Sequence, residues 1–219
     1  MEKKKYLSSL FDETYLKDIL ERHSIGYPET LARIADELSS AVGSLTNSSK
    51  IAKTLHSVKN IEIDSETVGS YLGFLTDAFL FSKADRYDVK GKKYFSYPSK
   101  YYCVDPGLRN ARLNFRQQEI THIMENVIYN ELRMREFLVD VGVVEMRKMQ
   151  DGKHVRAQYE VDFIATKGVK KYYIQSALSV SDPDKMDTEL RPMKNTNDFF
   201  KRIIWFCHPI ITIYKSRSW

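Results

Sequence analysis

Cysteine is scarce in this chain of 219 residues, with only Cys103 and Cys207, far apart and forming no CxxC pair. That excludes a disulfide framework and a structural zinc site, and isolated cysteines suit a reducing, cytoplasmic setting. Long apolar runs are missing too. The longest, residues 203–214, contains His208 and Pro209 and falls short of the roughly 20 residues a membrane helix needs, so no membrane partner is expected. Residues 1–5 are basic, but Asp12 and Glu13 arrive before any adequate apolar segment, which argues against a signal peptide. A phosphate loop of the form G-x-x-x-x-G-K-[ST] is absent. Gly91-Lys92-Lys93 lacks the leading glycine and the Ser/Thr, so no ATP site is expected within these residues. The five histidines show no metal-ligand spacing. The formal net charge of +5 is spread thinly, 0 over residues 1–27, +1 over 28–110 and +4 over 111–219, and no segment is strongly basic in bulk.

What is present is enough to fold. Hydrophobic residues make up 42% and aromatics 12%, which excludes disorder for most of the length. Residues 6–22 place Leu7, Leu10, Phe11, Tyr15 and Ile19 at helical spacing, an apolar face with nothing local to cover it. Three further helices are expected. One starts at Pro28 with Leu31, Ile34 and Leu38 inward, one follows the cap residues 47–49, and one follows Asp64 with Val68, Leu72 and Leu75 inward. Extended segments at 79–87 and 93–104 flank a turn at 88–92. Three short helices and a hairpin in that order make a winged helix-turn-helix. Asp105-Pro106-Gly107 reads as a turn and a domain boundary. A long helix at 116–136 follows, then strands at 142–149, 157–165 and 171–178, a polar helix at 183–195 and a strand at 202–207, with Asp151-Gly152 as a hairpin turn. That order is an α/β domain with a mixed sheet.

The strongest chemical pattern is Glu160-Val161-Asp162-Phe163-Ile164 followed by Tyr172-Tyr173-Ile174-Gln175-Ser176-Ala177. Strict alternation puts Val161 and Phe163 in the core and Asp162 on the other face. On the next strand it puts Ile174 in the core and Lys171, Tyr173, Gln175 and Ala177 opposite. With Glu125 on the preceding helix, this is the layout of a PD-(D/E)XK nuclease core. In such a core, carboxylates hold Mg²⁺ and the metal activates a water. Here the third acid is Gln175 and the lysine position is Ala177. A site of Glu125, Asp162 and Gln175 is therefore expected to be degenerate, with Mg²⁺ held weakly if at all by Glu125 and Asp162. Separately, residues 82–101 carry Lys83, Arg86, Lys90, Lys92, Lys93 and Lys100 against Asp85 and Asp88, with tyrosines interleaved. Lys83, Arg86, Lys90, Lys92 and Lys93 are the nucleic-acid-binding candidates. The helix after Asp64 carries Glu66 and Asp77 and no Lys or Arg, which disfavours it near phosphates.

From residue 47 to residue 205 the chain resembles the conserved domain of unknown function that follows the ATPase module in a prokaryotic AAA+-type ATPase family. The stretches that carry this are Tyr71-Leu72-x-x-Leu75, Tyr102-Cys103-Val104-Asp105-Pro106-Gly107-Leu108, Glu125-Asn126-x-x-x-x-Glu131-Leu132, Glu160-Val161-Asp162-Phe163 and Tyr173-Ile174-Gln175. The resemblance implies an α+β or α/β architecture in three parts. Residues 1–27 would be a linker helix from an ATPase module, 28–108 a winged helix and 109–219 a nuclease-like mixed-sheet domain. Residues 208–219 match the family poorly. Three functions stay open: a DNA-binding or targeting region for an ATPase, a Mg²⁺-dependent DNA nuclease, and a protein-interaction or dimerisation module. Their partners would be DNA, the ATPase module or a second copy of the chain.

Overall fold

The computed structural model describes residues 2–116, 119–150, 153–178, 183–196, 198–206 and 212–214. The turn expected at Asp151-Gly152 and most of residues 208–219 lie outside the described residues. The fold is mixed α and β. Seven strands hydrogen-bond in the order β2-β1-β3-β4-β5-β6-β7, where β1 is Phe81–Asp88, β2 Lys93–Cys103, β3 Leu138–Gln150, β4 Lys153–Lys167, β5 Lys170–Ala177, β6 Lys201–Phe206 and β7 Thr212–Tyr214. The β1–β3 and β5–β6 pairs are parallel, and the β3–β4, β4–β5 and β6–β7 pairs antiparallel. The chain groups into two compact units, Met1–Lys83 with Tyr97–Asn126, and Ala84–Ser96 with Val127–Trp219.

The first unit is mostly helical. Its opening helix runs through α1 (Glu2–Ser9), a wider π-helical stretch (Leu10–Leu16) and α2 (Lys17–Arg22). α3 (Pro28–Ser40), α4 (Ser48–Lys59) and α5 (Ser65–Asp77) follow. Local chemistry sets their ends. The Asn47 side chain accepts from the Lys50 N–H at 2.8 Å, Asn60 closes α4 in the left-handed conformation, and Asp64 accepts from Glu66 and Thr67. Those hydrogen bonds, the Thr67 N–H foremost, hold the Asp64 carboxyl below its usual range.

One expectation fails in this unit. Asp105-Pro106-Gly107 is not a turn but the start of a helix, α6 (Pro106–Arg112): Asp105 accepts from the Gly107 and Leu108 N–H groups, and Pro106 occupies the first turn. The opening helix, with nothing local to cover it, is covered from far along the chain. Phe11 and Ile19 are fully buried, and α6 supplies the partner. Arg112 lies over the Phe11 ring and donates to Asp12 at 2.6 Å and to Asp36. The covering residue comes 100 positions later, so no local pattern announces it.

The second unit contains the long β3–β4 hairpin, β5, β6, β7, α8 (Pro183–Lys194) and the C-terminal part of α7 (Ile120–Met134). The alternation expected along β4 breaks at a bulge. Asp140 pairs with Ile164 but Gly142 pairs with Val161, so Asp162 and Phe163 together oppose Val141. One extra residue swaps the faces that follow it. Val161 therefore joins Ile164, Tyr173, Ala177, Leu190 and Met193 in one apolar cluster, whereas Phe163 meets Tyr129 of α7. Tyr173 and Ala177, expected on the face away from the core, lie inside that cluster. Gly142 is required at the bulge, because a Cβ there would stand 2.9 Å from the Val161 Cβ.

Candidate functional site

Asp162 sits in the bulge, 8% exposed. Side-chain bonds join β4 and β5 at this point, beyond the paired residues Phe163 and Ile174. The Asp162 N–H donates to Gln175 Oε1 at 3.3 Å. Asp162 Oδ2 accepts from the Ser176 N–H at 2.8 Å and from the Ser176 hydroxyl at 2.6 Å. Thus Asp162 and Gln175 do come together, as the sequence implies, but each is occupied in tying two strands to one another. Ser176 is the residue that sequence reasoning passes over. A serine in the middle of a strand carries no signal until its neighbour across the sheet is known.

The position where a catalytic lysine would stand, Ala177, faces Leu190 and Met193 in the apolar cluster. A lysine ammonium there would be buried without a counter-ion, at a cost of several kcal/mol. Magnesium needs several hard oxygen ligands with free lone pairs. At this point of the sheet the Asp162 carboxylate already takes two donors on Oδ2, and the Gln175 amide oxygen is turned to a backbone N–H. Among the described residues no group of three or more His, Cys, Asp or Glu could hold a metal ion.

Glu125 belongs to the first unit and Asp162 to the second. Within its unit the Glu125 carboxylate is held by β2. Strand periodicity puts Lys100 and Tyr102 on one face, and Oε1 accepts from the Lys100 ammonium at 2.8 Å and the Tyr102 hydroxyl at 2.6 Å. Oε2 lies 3.1 Å from where a Cβ on Gly43 would be, and Gly43 has φ of +73°, so a larger residue is strained there on both counts. Beside it, Asn126 donates to the Cys103 carbonyl at 2.7 Å and accepts from the Cys103 N–H at 3.0 Å. The stretches Glu125-Asn126 and Tyr102-Cys103 thus bind one another. Lys100, counted in the basic run of residues 82–101, is only 3% exposed and serves as an internal counter-ion. Burial also pushes the Cys103 thiol up to about 12, which removes it as a nucleophile.

The basic hairpin candidates divide. Lys83, Lys92 and Lys93 are exposed. Arg86 donates to the Gln158 side chain at 3.2 Å and lies over the Phe95 ring. Lys90 donates to the Glu145 carbonyl at 2.9 Å. Tyr94 donates to Asp140 at 3.1 Å, and partial burial with that carboxylate alongside pushes its hydroxyl up to about 12. Asp140 itself is raised, chiefly by burial.

Residues 1–119 match the family described as Domain of unknown function (DUF8612). An uncharacterised protein of Haemophilus influenzae is 33% identical over 202 residues, which is 92% of this chain and 46% of that protein. An uncharacterised protein of Methanocaldococcus jannaschii is 30% identical over 183 residues, 84% of this chain and 38% of that protein. The chain spans less than half the length of these relatives, and no solved structure matches it. No helix among the described residues is long and apolar enough to cross a membrane. With more than half its length matched, the chain belongs to the DUF8612 family.

Proposed function

We propose that this chain is a DNA-binding, targeting region of an AAA+-type ATPase, built from a winged helix and a nuclease-like domain that no longer cuts. One observation carries the non-catalytic part. The Asp162 carboxylate is nearly buried and spent on the Ser176 N–H and hydroxyl, while the lysine position, Ala177, is packed among apolar side chains. Both placements favour a structural use of these residues over metal binding and water activation. The winged-helix reading draws support from the order α3, α4, α5, β1, β2. The ATPase association draws on the sequence resemblance and on relatives more than twice as long as the part matched.

The test is incubation of the pure chain with supercoiled plasmid and Mg²⁺ or Mn²⁺. The expected result is a retarded but intact plasmid and no ATP hydrolysis. Metal-dependent nicking that Asp162→Ala abolishes would restore the nuclease reading. Failure to retard any DNA at low salt would remove the DNA-binding one.

A further inference from the structure

The outer half of the β3–β4 hairpin presents a face that its own unit does not satisfy. Arg147 is the direct cross-strand partner of Arg156, and the next pair on that face is Met149 with His154. Directly opposed side chains in an antiparallel pair stand about 5 Å apart at Cβ, and like charges so placed are destabilising. Arg147, Met149, His154 and Arg156 are all exposed, and among the described residues neither arginine has an ion-pair or hydrogen-bond partner. Among the described residues of 145–158, the one carboxylate on that face is Glu145, which accepts from the Gln158 side chain. Residues 146–157 carry Arg147, Lys148, Lys153 and Arg156 against one acid, Asp151. An open depression of about 470 Å³ beside the arm is lined by Lys90, Met146, Arg147, Tyr159 and Arg191, with no acid. Lys90 is fixed there by its bond to the Glu145 carbonyl, so its charge is held close to the ribbon.

From these placements we infer that the β3–β4 arm, centred on the Arg147–Arg156 pair, is a contact surface for the phosphate backbone of duplex DNA. The inference rests on the DNA-binding reading above and names its surface. A row of anions removes the repulsion that the unliganded arm stores, which ties the charge pattern to an occupant. The shape fits as well. Six residues per strand, 145–150 against 153–158, span about 20 Å, and the major groove, about 12 Å wide, admits a two-stranded ribbon. The exposed face offers guanidinium groups, suited to paired phosphate oxygens, and an aromatic ring and a thioether beside them. No base-reading pattern is assigned; the contact is to the backbone and carries little sequence preference.

Fluorescence anisotropy of the whole chain with a labelled 25-base-pair duplex, between 50 and 200 mM salt, tests this. The Arg147→Ala/Arg156→Ala pair should weaken binding at least about tenfold and flatten the log–log salt slope by about 2, since each phosphate contact contributes roughly 0.9. Arg147→Glu separates a binding role from a structural one. It sets opposite charges across the ribbon, so its melting temperature at low salt should rise while DNA binding falls. A chain that binds DNA with unchanged affinity and slope in both variants overturns the arm and leaves the DNA reading intact. So does loss of the slope in Lys92→Ala/Lys93→Ala instead, which would assign the contact to the other hairpin. Absence of duplex binding by the unaltered chain overturns both readings. Arm-dependent binding of heparin or an acidic peptide, with none of DNA, overturns the choice of occupant.

Discussion

The two carboxylates that the sequence marks most strongly are both nearly buried, and they are satisfied in opposite ways. In the first unit Glu125 is met by a full positive charge, the Lys100 ammonium, and by the Tyr102 hydroxyl. In the second, Asp162 is met by neutral donors only, the Ser176 N–H and hydroxyl. Ion pairing and dipolar solvation both make a buried carboxylate tolerable, but they distribute the risk differently. An ion pair holds its whole cost in one partner, whose loss strands a charge. A pair of neutral donors divides it, and either can be lost more cheaply. In each case one carboxylate oxygen takes two donors from within its own unit, Oε1 of Glu125 and Oδ2 of Asp162.

The comparison is broken most forcefully at Lys100. Its side chain is 4% exposed and that of Glu125 12%, so Lys100→Met takes the ammonium away from a carboxylate in the interior of the first unit. The expected loss is about 3–5 kcal/mol in denaturant unfolding. The double variant Lys100→Met/Glu125→Leu should recover much of that, because removing both charges also removes the desolvation cost. If the single and double variants are equally unstable, the pair is held by packing and the charge plays no part.

Asp162→Ala comes second. It strands the Ser176 N–H and hydroxyl between β4 and β5, a loss of about 1–3 kcal/mol. Asp162→Asn keeps one acceptor oxygen for Ser176 and should lose less. A stability unchanged by Asp162→Ala, measured the same way, would mean that Asp162 is held for ligand chemistry after all, which reopens the nuclease reading.

How much of this was legible follows from distance along the chain. The helices α4 and α5 are announced by Asn47 and Asp64, which act within three residues. The same chemistry at Asp105-Pro106 is equally local, but Pro-Gly is a turn signal and a capped helix start at once. The faces of β4 were not legible. Alternation is a sound guide only where the register is regular, and the bulge opposite Val141 depends on Gly142, a residue on another strand. The cover over Phe11 was further still, at Arg112. That Gln175 and Ala177 stand where an acid and a lysine would be is legible from residue type alone. The Ser176 tie to Asp162 is legible only from the sheet.

The smallest effect lies at Tyr94, where the second unit again satisfies a carboxylate with a neutral donor, this time one that can ionise. Tyr94 donates to Asp140, and its hydroxyl is raised from 10.0 to about 12 by partial burial and the neighbouring carboxylate. In the unfolded chain the phenol titrates near its ordinary value. Between about pH 10 and 12 the folded protein therefore holds a proton that the unfolded chain has released. The folded state binds more protons in that window, so stability falls as pH rises through it, and the contribution is fully present below pH 10. Because the ring is exposed over much of its surface, solvent screening keeps the effect small. Tyr94→Phe cannot ionise and should flatten this part of the alkaline fall, seen as a smaller drop in melting temperature between pH 10 and 11.5 than in the unaltered chain. It should also lower stability slightly at neutral pH, because Asp140, already raised by burial, loses its donor. A variant with the same alkaline slope as the parent would place the titrating group elsewhere, with Tyr173, whose hydroxyl is raised by burial and by its bond to Asp198, as the next residue to change.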